Sequence, residues 1–352
     1  MPWQIIKQSK ADIWNEKLKS TDAEFCQYPY YISSEYTSIF SRPVFLKYVE
    51  DSNEVAYAAI IEIGIAPFKF GVVDCAPVLL MKNVNLKSLL DGLLQFARQK
   101  NYLYLQVRPP NNSPFIQLLE GNNSFKKELL FPFHKKVEYD LNIYNKPEKE
   151  LLAGFKMQCR RKIVLAGREP FEFKKIDDIK DLKEIRALFQ KVVATKGYEF
   201  LPFHIYRDMY LKGHPHNLCD IYAVYLHGKM VNAVLVVKDR LSSYHYISGL
   251  VVDGFKASES PPAKLHFHVM KDAFYNEGKQ FYNMSYGGSS TLVRFKELFN
   301  PVEIKKSDYY TYVINKKTLK LFSKFSLEKA SFIRRMLKNF NNFLFRSFSA
   351  KK

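Results

Sequence analysis

The chain has 352 residues, of which 47% are hydrophobic and 15% aromatic, so it is long enough for two domains with sizeable cores. Its formal net charge is +19, but residues 316–352 contain eleven Lys or Arg and one acid and carry +10 of it. This composition is typical of a globular protein with a strongly basic tail, and it excludes a uniformly basic chain.

The cysteine pattern argues against a disulfide framework and against a zinc knuckle. The four cysteines are separated by 49, 84 and 60 residues, and none belongs to a CxxC pair: Cys26, Cys75, Cys159 and Cys219. We therefore expect free thiols in a reducing compartment.

The beginning of the chain lacks the pattern of a secretory signal, because no positively charged segment precedes an apolar one. No run reaches the ~18 apolar residues of a membrane span. The longest apolar stretch, residues 55–68, is interrupted by Glu62 and Gly64 and reads better as strands. These observations predict a cytoplasmic protein.

The first half of the chain alternates strands and helices. Residues 86–98 have apolar side chains at helical spacing, and the strand that follows, 102–107, ends in Arg108-Pro109-Pro110. Before this helix we expect strands at 3–6, 44–49, 55–63, 69–73 and 77–81, and a helix at 11–18. After it we expect a short helix at 113–119 and strands at 125–131 and 137–143.

The second half contains the clearest pattern in the sequence. Three strands, 218–226, 230–238 and 244–252, are joined by short connections, which predicts an antiparallel meander. A helix opened by Pro261 and Pro262 follows it and runs to about residue 275. A strand–helix–strand crossover of this length favours a parallel pair between the third strand and the next one.

That next strand, 281–284, leads into Tyr286-Gly287-Gly288-Ser289 and a helix with apolar residues at 292, 295, 298 and 299. A strand that ends in Gly-Gly and opens a helix directs backbone N–H groups at one spot. This arrangement suits an anionic or carbonyl group. The alternative is an ordinary strand–turn–helix connection with a solvated basic face.

The element order of the first half recurs in the second with an offset of about 175 residues. We therefore predict a mixed α/β fold made of two tandem units, residues 1–145 and 146–315, followed by a helical tail at 316–352. The alternative is a single larger mixed sheet. A cleft between two such units is a natural place for a ligand.

A meander, a helix, a parallel strand and a further helix are the element order of GNAT acyltransferases, and two such units in tandem resemble the Fem-type aminoacyl transferases and related double-GNAT acyltransferases. Three segments of the second half carry the resemblance. They are Lys156-Met-Gln-Cys-Arg160-Arg-Lys-Ile-Val-Leu-Ala166, the strand–turn–strand from Tyr222 to Ala233, and Tyr286-Gly-Gly followed by Arg294-Phe-Lys296-Glu-Leu-Phe299.

The resemblance implies transfer of an acyl or aminoacyl group to an amine of a sugar, an amino acid or a cell-envelope precursor. Acyl-CoA and aminoacyl-tRNA are the two donor classes. Residues 253–262 contain only one glycine, Gly254, where ordinary GNATs have a glycine-rich pyrophosphate loop, which weakens the coenzyme A assignment. No long helical hairpin interrupts 171–218, which weakens the tRNA assignment, and an Asp usual in the family is replaced by Asn283, Met284 and Ser285.

The candidate site residues follow from the same segments. Lys296, at the family's Phe-Lys position, is the candidate for stabilising negative charge, with a solvated helix lysine as the alternative. Tyr286 is the candidate for returning a proton to the leaving group, with packing as the alternative. The candidates for binding substrate are Arg160, Gly287, Gly288, Ser289, Arg294 and Arg108.

Two histidine pairs resemble metal ligands but have no third ligand spaced nearby: His214 with His216, and His266 with His268. We therefore expect no metal site.

The tail at 317–348 has Phe, Leu, Ile and Met at three-to-four spacing with Lys and Arg between them. This pattern suits an anionic membrane surface and predicts peripheral association with the inner face of the membrane. The alternatives are a helix packed on the body or on a partner, and a nucleic-acid contact. A second hypothesis for the whole chain is thus a non-catalytic GNAT-like protein held at a membrane or polyanion by this tail.

Overall fold

Two mixed β-sheets form the framework of the chain in this computed structural model, which describes residues 3–65, 68–127, 137–196, 200–252, 256, 261–286 and 290–320. The strands, in chain order, are β1 (Trp3–Ile5), β2 (Ser41–Glu50), β3 (Asn53–Ile65), β4 (Phe68–Asp74), β5 (Val78–Leu79), β6 (Tyr104–Arg108), β7 (Phe125–Lys126), β8 (Val137–Asn142), β9 (Phe171–Lys175), β10 (Cys219–Leu226), β11 (Lys229–Lys238), β12 (Ser242–Leu250), β13 (Phe281–Tyr286), β14 (Val302–Lys305) and β15 (Tyr310–Val313).

Helices cover the sheets. They are α1 (Asp12–Leu18), α2 (Pro29–Glu35), α3 (Leu86–Gln99), α4 (Phe115–Glu120), α5 (Glu148–Ala153), α6 (Met157–Ala166), α7 (Leu182–Lys196), α8 (Phe203–Gly213), α9 (Pro262–Tyr275) and α10 (Ser290–Glu297). Asn85 caps α3, since its side-chain oxygen accepts from the N–H of Ser88 at 3.1 Å. Among the described helices, none is long and apolar enough to cross a membrane.

Both sheets are built around a parallel pair joined by a crossover helix. In the first sheet β4 pairs with β6 across α3, and in the second β12 pairs with β13 across α9. The predicted meander β10–β11–β12 and the predicted parallel pair are confirmed. The hairpin turns have a local cause: Asp51 and Ser52 between β2 and β3, and His227 and Gly228 between β10 and β11, all have positive φ, as two-residue hairpin turns require.

The two sheets exchange one strand each. The first has the order β1-β2-β3-β4-β6-β15-β7, so that a strand from the end of the chain separates β6 from β7. The second has the order β14-β8-β13-β12-β11-β10-β9, so that β8, from the first half of the chain, separates β13 from β14. We retain residues 1–145 and 146–315 as the proposed repeat units, with each sheet completed by a strand of the other unit.

A shared core lies between the sheets. It joins α1 and α2 of the first half to α7, α8 and the meander of the second half. The Tyr30 hydroxyl in α2 donates to the carbonyl of Leu218, just before β10, at 2.8 Å and is fully buried. The opposite face of the second sheet is covered by α5, α6, α9 and α10, which form a separate core.

The predicted tail lies outside the described residues except for its first turn. Asn315 caps that turn, because its side-chain oxygen accepts from the N–H of Thr318 at 3.0 Å. Leu319 packs against a small cluster around Phe70 and Tyr104 on the first sheet. The membrane contact through 317–348 stays a prediction.

Candidate active site

The parallel strands β12 and β13 separate after only three residue pairs. Ser242–Tyr244 pair with Phe281–Asn283, and beyond that point β12 continues to Leu250 and β13 to Tyr286 without pairing with each other. A bulge in β12 contributes, because His245 pairs with Val236 and Ile247 with Leu235, which leaves Tyr246 out of the ladder with β11. A gap therefore opens in the second sheet.

The backbone of β13 is strained where the gap opens. Ser285 has a φ of 62°, in the left-handed region that side chains other than Gly, Asn and Asp seldom adopt. Its N–H donates to the Asn283 side-chain oxygen at 2.6 Å, and the register with β8 is irregular between Asn283 and Tyr286. Strain of this kind concentrates at functional sites. The predicted residues Gly287, Gly288 and Ser289 come directly afterwards and lie outside the described residues.

Lys296 is buried beneath this part of the sheet. Its side chain is only 2% exposed, and its ammonium lies 5.8 Å from the ring centre of Tyr139 in β8. It is therefore not the solvated lysine of the alternative interpretation. Arg294, two residues earlier on α10, is exposed on the other side of the helix. The helix thus directs one cation into the protein and one into solvent.

Two buried histidines lie beside Lys296. Burial and the Lys296 charge lower the pKa of His266 to about 3, and burial, His266 and Lys296 lower the pKa of His245 well below its usual value. Both rings are therefore neutral near pH 7. His266 Nδ1 lies 2.6 Å from the Tyr282 hydroxyl, and its ring meets that of His245 edge-on at 4.8 Å between ring centres.

His245 stands out because no described side chain hydrogen-bonds to its ring nitrogens, and the backbone of Met284 is the polar group that approaches the ring. The ring is buried and lies near the backbone of Met284, on the far side of the gap in β13. A buried imidazole without partners costs free energy unless a ligand uses it. The His245 ring lies beside the gap, where a ligand could form a hydrogen bond with it.

Carboxylates occupy the opposite face of the sheet. Glu138 accepts from the Asn283 amide at 2.8 Å, and Asp140 pairs directly with Asn283 in the β8–β13 ladder. Burial and the neighbouring Glu138 raise the pKa of Asp140 to about 6. β13 lacks the Asp that the resemblance predicts, but β8 brings two carboxylates to the same place.

Sequence reasoning missed these carboxylates because β8 lies about 145 residues from its partner strand. A signal was present in the alternation of Glu138, Asp140 and Asn142, which places three polar side chains on one face of the strand.

Lys306 joins this face to the first half of the chain. Its ammonium lies 2.8 Å from Glu24 and 3.3 Å from Glu138, and all three side chains are largely buried. Burial alone would lower the pKa of Lys306, but the charges of Glu24 and Glu138 outweigh it and raise the pKa well above its usual value. The buried Lys306 ammonium therefore stays charged and forms ion pairs with both Glu24 and Glu138.

Arg108 ends β6 in a closed environment, with 3% of its surface exposed. Its Nε donates to the Asp74 carboxylate, its Nη2 donates to Cys75 Sγ at 3.3 Å, and its guanidinium lies 5.3 Å from the Tyr309 ring centre. The structure thus gives Arg108 an ion pair inside the protein. Its predicted role in binding substrate stays a prediction.

The other predicted residues are placed as follows. Arg160 in α6 donates to the carbonyls of Ala153 and Phe155 at 3.1 and 2.6 Å, and so closes the end of α5. Tyr286 is the last residue of β13 and pairs with Glu138 through the backbone. Their proposed substrate and proton-transfer roles stay untested.

The two histidine pairs considered as metal ligands are engaged separately. His214 Nδ1 lies 2.9 Å from Asp220, and His216 Nδ1 lies 2.6 Å from Glu16. His266 is occupied with Tyr282, and the pKa of His268 is lowered chiefly by burial. Neither pair forms a joint site.

Comparison with known proteins identifies the fold. No protein-family model and no curated protein sequence matches the chain. The solved structures that resemble it include FemX, with a TM-score of 0.73 and 14% identity over 91% of this chain and 99% of that one. The C-terminal DUF2156 domain of a lysylphosphatidylglycerol synthetase described as putative, from Agrobacterium fabrum, has a TM-score of 0.59 and 13% identity over 91% and 97%.

A tandem GNAT protein from the clavulanic acid biosynthesis pathway has a TM-score of 0.51 and 7% identity over 88% of this chain and 97% of that one. At these identities the likeness concerns the fold. The chain has a mixed α/β double-GNAT fold similar to that of FemX, as predicted.

Proposed function

We propose that this chain is an N-acyltransferase that moves an acyl or aminoacyl group from an activated donor to an amine. The observation that carries the proposal is the gap between β12 and β13, which places the unpartnered His245 and the buried Lys296 beside strand edges that do not pair. An elongated acyl group fits such a gap, because unpaired backbone groups can hold its polar atoms. The fold shared with FemX and a tandem GNAT protein supports the same reaction class.

The reaction needs a neutral amine, an electrophilic carbonyl and a place for the charge that develops. The amine nitrogen attacks the carbonyl carbon, the carbonyl oxygen becomes an oxyanion, and collapse of the intermediate expels a thiolate or a ribose hydroxyl. We assign proton removal from the amine to Asp140, whose pKa of about 6 leaves it ionised near pH 7.5. Lys296 stabilises negative charge from the other face of the sheet.

The remaining roles are proposals from the resemblance. The Tyr286 hydroxyl returns a proton to the leaving group, and the backbone of Gly287, Gly288 and Ser289 contacts the substrate carbonyl or a phosphate. The exposed Arg294, together with Arg160 and Arg108, is assigned to anionic parts of the substrate. For the acceptor, we propose an amine on a sugar, an amino acid or a cell-envelope precursor.

A donor and acceptor screen tests this function. Purified protein is incubated with acyl-CoA or aminoacyl-tRNA and with amino sugars, amino acids or amine-bearing cell-envelope precursors, and the products are identified by mass. We expect transfer from one donor class, with a rate that falls by about 100- to 1,000-fold in Lys296→Met. Folded wild-type protein that transfers from neither class would contradict the proposal and favour the non-catalytic binding protein. Calorimetric titration with acetyl-CoA then distinguishes the two donor classes, because binding is expected only if acyl-CoA is the donor.

Asp140→Asn should lower the transfer rate by about 100-fold or more, since it removes the base. The same change should stabilise the fold at pH 7.5. The pKa of Asp140 is about 6 in the folded chain and about 4 when unfolded, so stability from this group falls as pH rises through that window. We expect a gain of about 2–3 kcal/mol at pH 7.5 that vanishes below pH ~4, measured by urea unfolding.

Glu303→Gln is the matched control, because Glu303 is an exposed carboxylate opposite Tyr139 on the neighbouring β14. It should change neither rate nor stability appreciably. An Asp140→Asn protein with a wild-type rate and a wild-type pH profile would remove Asp140 from the reaction.

The variant His245→Phe tests whether His245 binds a ligand or only packs in the core. Phe keeps an aromatic ring, one atom larger, and removes both buried ring nitrogens, so the free energy of unfolding should rise by about 1 kcal/mol while the KM for the donor rises about 5- to 10-fold. His266→Phe is the contrast, because it strips the buried Tyr282 hydroxyl of its partner and should cost about 1–3 kcal/mol. An unchanged KM in His245→Phe would show that the donor does not reach this ring.

A further inference from the structure

Three potential metal ligands meet beside the ion pair of Arg108 and Asp74. The Glu24 carboxylate and the thiols of Cys26 and Cys75 place one ligand atom each within 4.8 Å of the other two. Cys26 and Cys75 are 4% and 1% exposed, and the side chain of Glu24 is 17% exposed. The cluster therefore lies inside the protein with one edge near solvent.

Hydrogen bonds from neighbouring residues hold the segments that carry these ligands. Cys26 lies in a short 3₁₀ helix, Phe25–Gln27, and Cys75 directly follows β4 with a φ of 51°. Gln27 holds the two segments together, because its amide donates to the carbonyl of Asp74 and its side-chain oxygen accepts from the N–H of Ala59 at 3.0 Å. A cluster held by such neighbours is organised before a metal binds.

The charge balance is compatible with a cation that displaces protons. Lys306 lies 2.8 Å from Glu24, and Arg108 donates to Cys75 Sγ at 3.3 Å, so these two cations would repel a dication that left the thiols protonated. Binding of M²⁺ with loss of two thiol protons converts two neutral thiols and a carboxylate into two thiolates, a carboxylate and a dication. The charge of the cluster is −1 before and after, so the neighbouring ion pairs need not rearrange.

We propose that Glu24, Cys26 and Cys75 form a binding site for a thiophilic divalent metal ion, with Zn²⁺ as the expected occupant. Thiolate sulfur and carboxylate oxygen are ordinary zinc ligands, whereas Mg²⁺ and Ca²⁺ prefer oxygen alone. Three protein ligands leave a fourth position for water. The ion would link the segment around Cys26 to the end of β4, next to the ion pairs of Lys306 with Glu24 and Glu138. The metal-site proposal does not depend on the acyl-transfer proposal.

Titration of the reduced, metal-free full-length protein with Co²⁺ tests the site. We expect a near-ultraviolet thiolate-to-cobalt absorption band that saturates at one equivalent, two protons released per metal ion, and loss of the band when Zn²⁺ is added. Cys26→Ala and Cys75→Ala should each weaken or abolish the band. Cys159→Ala and Cys219→Ala remove equally buried thiols elsewhere in the fold and should leave it intact.

Circular dichroism of each variant before titration shows whether it has folded, and Zn²⁺ should raise the melting temperature of the wild-type protein but not of Cys26→Ala. A folded wild-type protein that shows no band, or a band that survives in Cys26→Ala/Cys75→Ala, overturns the proposal. Two thiols missing from the unfolded, unreduced protein and restored by a reductant would identify a Cys26–Cys75 disulfide instead, which also overturns it.

Discussion

Replacing Lys296 by methionine should reduce the transfer rate by about 100- to 1,000-fold without unfolding the chain. This range is the usual effect of removing one group that stabilises an oxyanion. Methionine fills a similar volume, so the packing against Tyr139 should survive. The loss of rate should therefore appear in kcat rather than in the folded fraction.

The buried position of Lys296 is the physical reason for the large effect. An ammonium that is 2% exposed acts in a low dielectric, where a charge has a much stronger influence than in water. Burial is the main cause of the lowered pKa of His245 and of His266, and the Lys296 charge lowers both further. A charge developing on a substrate oxygen there would be stabilised by the same field.

Arg294→Met is the matched control, because it removes a cation from the same helix on the exposed side. If Arg294 contacts an anionic part of the substrate, KM should rise while kcat is largely unchanged. A Lys296→Met protein with wild-type kcat, folded by circular dichroism, would show that the buried ammonium has a structural role only.

Replacing Arg108 by methionine should lower the free energy of unfolding by about 3–5 kcal/mol, measured by urea or guanidinium unfolding. The substitution leaves Asp74, which is 2% exposed, without the guanidinium that compensates its charge. Without the guanidinium, this buried carboxylate must either stay charged at high cost or take up a proton, although the Tyr309 hydroxyl still donates to it at 3.3 Å. The loss should therefore be larger at pH 8 than at pH 5.

Arg98→Met provides a control with similar geometry and no buried carboxylate. The Arg98 guanidinium lies 5.5 Å from the Tyr312 ring centre, much as Arg108 lies 5.3 Å from Tyr309. It is exposed, so its loss should cost no more than about 1 kcal/mol. Arg108→Met/Asp74→Asn should recover part of the stability lost in Arg108→Met, and a double variant as unstable as the single one would contradict the ion-pair explanation.

Local signals in the sequence were sufficient to predict much of the fold. The meander β10–β12 follows from its short connections, such as the turn at His227-Gly228, and α3 follows from its apolar spacing. The position of Lys296 was readable in part, since it lies three residues before the buried Phe299 on one helical face, although Leu292, four residues before it, is exposed. From the sequence, Lys296 was either a group that stabilises negative charge or a solvated helix lysine, and the structure shows it buried.

Features that depend on contacts between distant segments could not be predicted. Nothing in residues 137–143 or 310–313 shows that β8 and β15 pair with strands of the opposite half, because strand propensity does not specify a partner. The same reason hid the carboxylates of β8 beside Asn283. The cluster of Glu24, Cys26 and Cys75 was hidden because its two cysteines are separated by 49 residues, far from any motif spacing.

The strand exchange also has a consequence for the order of folding during synthesis. The first sheet lacks the strand between β6 and β7 until β15, residues 310–313, has left the ribosome. At about 5–20 residues per second, the interval between the synthesis of β7 and that of β15 is roughly 10 to 40 s. Until then, β6 and β7 each have an edge without a pairing strand in the nascent first half. A chaperone that covers these edges would raise the yield of native protein.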